Sequence, residues 1–284
     1  MLGVYYGCHV LTKSYIIEAL TKKILAKLKV NFLELKDAFC CGGRLRSASI
    51  LLNNYLSARV LSIAQKNNIE KLLVFCNWGF SSLKQLKYDL EKDAESIERI
   101  SKLLARENLG FPDLDRIQVL HIVDFLHNLL EEGKIKPFSK YSFKVGIFPG
   151  CRAIRPRQIG INAKELITKF GHLIQELGFD IVDYPEKESC CGFSLLEYKK
   201  DTALALSGLI LSSAKDAGAE ILVVACPLCF EMLDYHQDEI RTHVKSAELP
   251  VVHILQLVGL SIGMPLEETF IQLNNSTSAL LKKL

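Results

Sequence analysis

The chain has 284 residues, 49% of them hydrophobic and 24% charged, which is ample for a packed core and excludes bulk disorder. The formal net charge of +3 leaves no broad basic field of the kind nucleic acid selects. Residues 1–140 carry 21 Lys/Arg against 15 Asp/Glu and the remainder 14 against 17, as expected of two halves with different surfaces.

The opening MLGVYYGCHV has no basic segment followed by an apolar run, so no signal peptide is expected. Residues 2–6 read as a strand, 15–28 as a helix, 30–35 as a second strand, 47–65 as a helix and 71–75 as a third strand. The heavily charged stretch 84–106 is helical by pattern, with a solvated face. The second half repeats the order with strand 144–148, helix 161–177, strand 180–183, helix 202–217 and strand 220–225. Strands alternating with helices of this length imply right-handed βαβ units on parallel sheets, an α/β fold. The longest uncharged apolar stretch, 249–266, is broken by Pro250, His253, Gln256, Gly259, Gly263 and Pro265. It reads as buried strand, turn and short helix, so no transmembrane segment and a cytoplasmic protein are expected.

The nine cysteines are Cys8, Cys40, Cys41, Cys76, Cys151, Cys190, Cys191, Cys226 and Cys229. An odd number without an export signal argues against a disulfide framework. Shifting the first half by 150 residues lays Cys40, Cys41 and Cys76 on Cys190, Cys191 and Cys226, and Cys8 answers Cys151 across a longer loop. YYGCHV matches FPGCRA, FCCGG matches SCCGF, and QVLHIVDFL matches PVVHILQLV. This is an internal duplication, expected to give two tandem homologous domains, 1–138 and 139–284. Each cysteine follows a strand or lies in a strand-to-helix loop, so each set converges beyond the carboxyl ends of its sheet, where such folds bind ligands.

A closed zinc site takes four ligands, and the second half offers five thiols. Adjacent cysteines suit a core of several metals, and soft thiolates hold iron–sulfur centres. The first half has only Cys8, Cys40, Cys41 and Cys76, because Gly79 stands where the second half has Cys229. Four thiols suit structural zinc, a cubane cluster, or a noncubane cluster short of one ligand.

The spacing of Cys151, Cys190-Cys191-Gly192 and Cys226-x-x-Cys229 resembles the cysteine-rich CCG domain of the HdrB-like subunits of heterodisulfide reductase, and two such domains in tandem match those subunits end to end. YYGC, CCGG, ACPLCF and LPVVHILQL all read as that family's. The resemblance implies a pair of Rossmann-like domains. It implies a noncubane 4Fe–4S cluster held by Cys151, Cys190, Cys191, Cys226 and Cys229, and zinc or a second iron–sulfur cluster at Cys8, Cys40, Cys41 and Cys76. The function implied is that of an oxidoreductase subunit, active only within a complex, with disulfide/thiol redox chemistry at the second-half cluster. Relatives also serve in type E succinate dehydrogenases and fumarate reductases, so the alternative is an electron-transfer and membrane-attachment subunit passing electrons to or from quinone. The chain lacks the CxxCxxCxxxCP run of ferredoxins. A ferredoxin-type iron–sulfur subunit and a flavoprotein subunit are the expected partners, with peripheral membrane association through the complex.

Several other residues stand near these motifs. Trp78, the only tryptophan, is either a shield of the first site or a packed strand-end aromatic. Arg44, Arg46, Arg152, Arg155 and Arg157 flank cysteines and suit an anionic ligand, or are ordinary surface arginines. His9 has ligand chemistry available, whereas His121 and His253 occupy matching runs and read as core histidines. No GxGxxG follows a strand, so a nicotinamide site of the usual type is not expected.

Overall fold

The computed structural model describes residues 1–138 and 141–282. The expected start of the second repeat at 139 and its end at 284 lie outside the described residues. The first sheet comprises β1 (Leu2–Tyr5), β2 (Leu33–Glu34), β3 (Lys71–Val74) and β4 (Gln118–His121). The second comprises β5 (Lys144–Phe148), β6 (Asp180–Val182), β7 (Ile221–Val224) and β8 (Val251–His253). Every pairing is parallel, and the orders are β2-β1-β3-β4 and β6-β5-β7-β8, so the two repeats share one topology. This is the expected α/β architecture of two Rossmann-like units.

Three local expectations shift. β2 is shorter than 30–35 because Val30 N–H still bonds to the Leu25 carbonyl (2.9 Å), closing the preceding helix Tyr15–Lys27 through the left-handed Lys29. The next helix starts at Ile50, where the Ser49 hydroxyl accepts from Leu52 N–H. The charged stretch 84–106 belongs to two helices, Asn77–Leu90 and Ala94–Ala105, because Asp93 caps the second by accepting from Ser96 N–H (3.0 Å).

Helix Tyr15–Lys27 packs on Ile254–Ser261, and helix Ile122–Glu131 packs on Ala163–Glu176, so each half presents the same two helices to the other. One hydrophobic core runs through this junction, joining Val4, Leu20 and Phe75 to Phe148, Phe170 and Leu257. A second core, with Val74, Leu61 and Ile100, covers the other face of the first sheet. Each fully buried Leu or Phe contributes about 1.5–3 kcal/mol, so parting the halves would expose a large apolar surface.

Candidate metal centres

In each sheet the chain reverses direction beside its first strand, opening a crevice between β1 and β3 and between β5 and β7. Cys8 lies in the short helix Gly7–Thr12 after β1, and Cys76 caps helix Asn77–Leu90 after β3. Cys151 and Cys226 hold the matching places after β5 and β7. The Cys-Cys-Gly loops complete each set. Gly42 and Gly192 are left-handed (φ 73° and 80°), and a Cβ on Gly192 would sit 2.7 Å from the Ala203 carbonyl oxygen. Glycine is therefore demanded by conformation and by close approach together. Gly192→Ala is expected to destabilise the fold by at least about 2 kcal/mol and to displace Cys190 and Cys191, read by thermal unfolding and cluster absorbance.

The loops are pinned from below by a repeated device. The Ser57 hydroxyl donates to the Cys41 carbonyl (3.0 Å) and Ser207 to the Cys191 carbonyl (2.6 Å). Backbone N–H groups face the sulfurs, from Gly42 to Cys40 Sγ (3.3 Å), Gly43 to Cys41 (3.4 Å) and Gly192 to Cys190 (3.4 Å). These donors favour thiolate, the form that binds metal. The Cys151 hydrogen bond, the Gly192 N–H and the charges of Arg152 and Arg155 outweigh burial and bring Cys190 down to about 6.

All five second-half thiols line one hollow of about 170 Å³. Cys151 neighbours Cys190, and Cys229 neighbours both Cys191 and Cys226. Among the described residues no three thiols lie within 4.8 Å of one another, so neither set is drawn in around a single ion. The donor set and its spread fit a multi-iron core. Gly150 leaves the space open, since a Cβ there would lie 3.2 Å from Cys229 Sγ and 2.6 Å from Asn77 Nδ2.

The first-half thiols line a larger cavity of about 290 Å³. Its missing ligand position is filled. A Cβ on Gly79 would meet Val74 Cγ1 at 3.2 Å and Tyr5 Cε1 at 3.5 Å, and one on Gly7 would meet Tyr5 Cζ and Oη at 3.8 Å. Where Gly150 faces a sulfur, its counterpart Gly7 faces a phenol ring. Tyr5 is fully buried and donates to the Phe39 carbonyl (3.2 Å) beside Cys40.

The two centres are neighbours. Cys76 lies beside Cys226 across the junction of the halves. Trp78, Phe193 and Leu228 line both cavities. Trp78 is thus more than a packed strand end: it walls both centres, with the Arg152 guanidinium 4.5 Å above its ring. Asn77 ties the halves at the same place, donating to the Pro149 carbonyl (2.7 Å) while its Oδ1 meets His121 Nε2 at 2.8 Å. His121 and His253 are buried helix caps, accepting from Val123 and Leu255 N–H, in keeping with their reading as core histidines.

His9 is placed at the first cavity, its Nε2 2.8 Å from Glu231 Oε2 of the second half, with Lys13 Nζ 3.2 Å from the other oxygen. Burial pushes the Glu231 carboxyl up, but His9 and Lys13 outweigh it and hold it below the ordinary range. Arg44 pairs with Glu197 (3.2 Å) over Phe193, and Arg46, Arg152 and Arg155 line a shallow opening beside Cys151 and Cys190. Arg157 is exposed. Sequence reasoning passed over Ser57, Ser207, Asn77, Tyr5 and Glu231. Only the serines carried a signal, falling 150 residues apart in the register of the cysteine pairs.

The profile of the cysteine-rich domain named CCG matches residues 2–80 and 145–234. The 8-methylmenaquinol:fumarate reductase membrane anchor subunit of Wolinella succinogenes is 30% identical over 89% of this chain and 87% of its own. A subunit of the ferredoxin/F(420)H(2)-dependent CoB-CoM heterodisulfide reductase of Methanosarcina acetivorans is 28% identical over 96% and 93%. Its counterpart in the ferredoxin:CoB-CoM heterodisulfide reductase of Methanosarcina mazei is 27% identical over the same shares. Among solved structures, a hypothetical protein from Helicobacter pylori has a TM-score of 0.77 at 15% identity, covering 97% of this chain. This chain spans 51% of that one, and the likeness shows the fold alone. No helix among the described residues is long and apolar enough to cross a membrane. With a match in both halves that takes in all nine cysteines, the chain belongs to the CCG cysteine-rich domain family.

Proposed function

We propose that this chain is the iron–sulfur subunit of a heterodisulfide reductase or heterodisulfide reductase-like complex, with disulfide/thiol redox chemistry at a noncubane 4Fe–4S cluster. Cys151, Cys190, Cys191, Cys226 and Cys229 are its ligands. The observation that carries this reading is the convergence of five thiols in one hollow, spread too widely for a single ion. When bound, such a cluster supplies iron sites for a substrate sulfur and takes up electrons singly. Cys8, Cys40, Cys41 and Cys76 hold a second, four-thiolate centre, zinc or iron–sulfur. The domains are 1–138 and 139–284.

The chain's own residues serve this chemistry in three ways. Trp78, Phe193 and Leu228 exclude water from the space between the centres. Arg152 and Arg155 line the opening beside Cys151 and Cys190 and offer positive charge suited to the anionic end of a thiol substrate. The His9–Glu231 pair joins the two halves across the wall of the first cavity. Electrons arrive from a ferredoxin-type subunit, itself served by a flavoprotein, and Cys76 beside Cys226 brings the two centres next to each other.

A second reading is favoured by the Wolinella relative and by Tyr5. The relative's name is that of a membrane anchor subunit of a fumarate reductase, and a first site closed to a fifth thiol differs in kind from the second. In that reading the chain passes electrons to or from quinone in a type E succinate dehydrogenase or fumarate reductase, attached peripherally to the membrane.

Iron, acid-labile sulfide, zinc and EPR on anaerobically purified complex test the shared premise, with at least about four irons per chain expected. Thiol release from a heterodisulfide, with reduced viologen as donor, then supports the first reading. Menaquinol oxidation without thiol release replaces it with the second. Iron well below that level overturns both.

A further inference from the structure

We propose that His127, Glu131 and His172 form a divalent transition-metal site, best suited to zinc, that clamps the two halves together on the opposite side from any cysteine function. It rests on nothing in the redox reading. His127 and Glu131 lie four residues apart on helix Ile122–Glu131, and His172 lies on the facing helix Ala163–Glu176. His127 Nε2 is 3.2 Å from His172 Nδ1, and Glu131 Oε1 is 3.9 Å from the former and 3.8 Å from the latter. A point equidistant from these three atoms lies about 2.1 Å from each, within the range of zinc–nitrogen and zinc–oxygen bonds. Among the described residues no other His, Cys, Asp or Glu ligand atoms gather this closely in threes.

The chemistry of the set is selective. Two imidazoles and one carboxylate suit zinc over calcium or magnesium, which prefer all-oxygen shells. Glu131 and His172 are exposed, so a fourth position remains open to water. Glu176 Oε1 lies 3.9 Å from the other nitrogen of His172, outside hydrogen-bond reach. Nearby Asp124 and Glu165 are both taken by Lys169, at 2.9 Å and 2.7 Å, and do not compete.

The set is also not a by-product of the duplication. Aligning His121 with His253 puts Gly259 opposite His127 and Gly263 opposite Glu131, and aligning the left-handed residues Lys29 and Gly178 puts Lys23 opposite His172. The matching helix junction therefore has no ligands. It brings Gly259 close to Met264 and Leu20, while Lys23 pairs with Glu268 (3.2 Å) and Lys27 Nζ donates to the Gly263 carbonyl (3.4 Å). One of the two matching junctions has lysines and glycines at these places, and the other has gathered two histidines and a glutamate.

The test uses the full chain, purified anaerobically with its cysteine sites filled, and titrates zinc chloride by calorimetry. The wild type is expected to bind one equivalent beyond the cysteine-held metal, with a rise in unfolding temperature. Loss of a ligand should weaken this by about tenfold or more, since loss of a mere outer-shell partner costs that much. His172→Ala, at an exposed position, and His127→Gln should both show it, and Glu131→Gln should show a smaller loss. With cadmium-113 in place of zinc, NMR should give a resonance in the nitrogen/oxygen region, well separated from thiolate-bound cadmium. No extra equivalent in the wild type overturns the proposal. So does an extra equivalent undiminished in both His172→Ala and His127→Gln, which would place it on the thiols.

Discussion

Exchanging Cys191 for serine is expected to remove the second centre outright: iron falls by about four per chain and the cluster's EPR signal disappears. The thiol is buried beside Cys229, with its carbonyl held by Ser207 at 2.6 Å. Serine has a shorter, harder donor, and the pinned loop cannot move it inward to compensate. Cys229→Ser should behave alike, since Cys229 is as deeply buried and bridges Cys191 to Cys226. Cys40→Ser should change only the first centre, because its thiol partners are Cys8 and Cys41. The control with most bearing is Cys76→Ser. Its place beside Cys226 puts it against the second set, so it should lose first-site metal and also shift the second centre's signal without abolishing it. A spectrum untouched by Cys191→Ser would break the ligand assignment while leaving the fold and the family membership standing.

What the sequence made legible follows from what repeats. Strands fell where short apolar runs alternated with helical periods, and the cysteine register carried both sheets at once, so topology and convergence could be read together. β2 lost its first residues because one left-handed lysine kept the helix closing, a decision made by a single φ angle that composition does not encode. The relation between the halves was not legible. Nothing in either motif says that Cys76 meets Cys226, that Trp78 of one half walls the centre of the other, or that Asn77 holds the Pro149 carbonyl. Those contacts exist because helices Tyr15–Lys27 and Ala163–Glu176 each pack on a helix of the other half, and pattern within one repeat does not report on packing between two. Glu231 shows the same limit: in sequence it is a charge two residues past Cys229, and in space it belongs to His9.

Gly79→Cys, the substitution that restores the family's fifth position in the first half, is expected not to yield a five-thiolate site. Gly79 stands in the first turn of helix Asn77–Leu90, and a Cβ added there would meet Val74 and Tyr5 at 3.2 and 3.5 Å before any sulfur is added. The single variant should lose roughly 1–3 kcal/mol from overpacking while its first-site metal content stays at the wild-type value. Tyr5→Val alone opens a cavity at a fully buried position and should cost about 2–4 kcal/mol. The double variant should cost less than the sum, with a coupling of about 1–3 kcal/mol, because the added thiol enters the space the ring vacates. Only that double variant should move the first site's iron stoichiometry and EPR toward those of the second. Additive stabilities would mean that ring and thiol do not compete for one space. A new first-site signal from Gly79→Cys alone would mean that Tyr5 yields its place freely, and the difference between the two centres would then lie in the missing cysteine and not in the ring that replaced it.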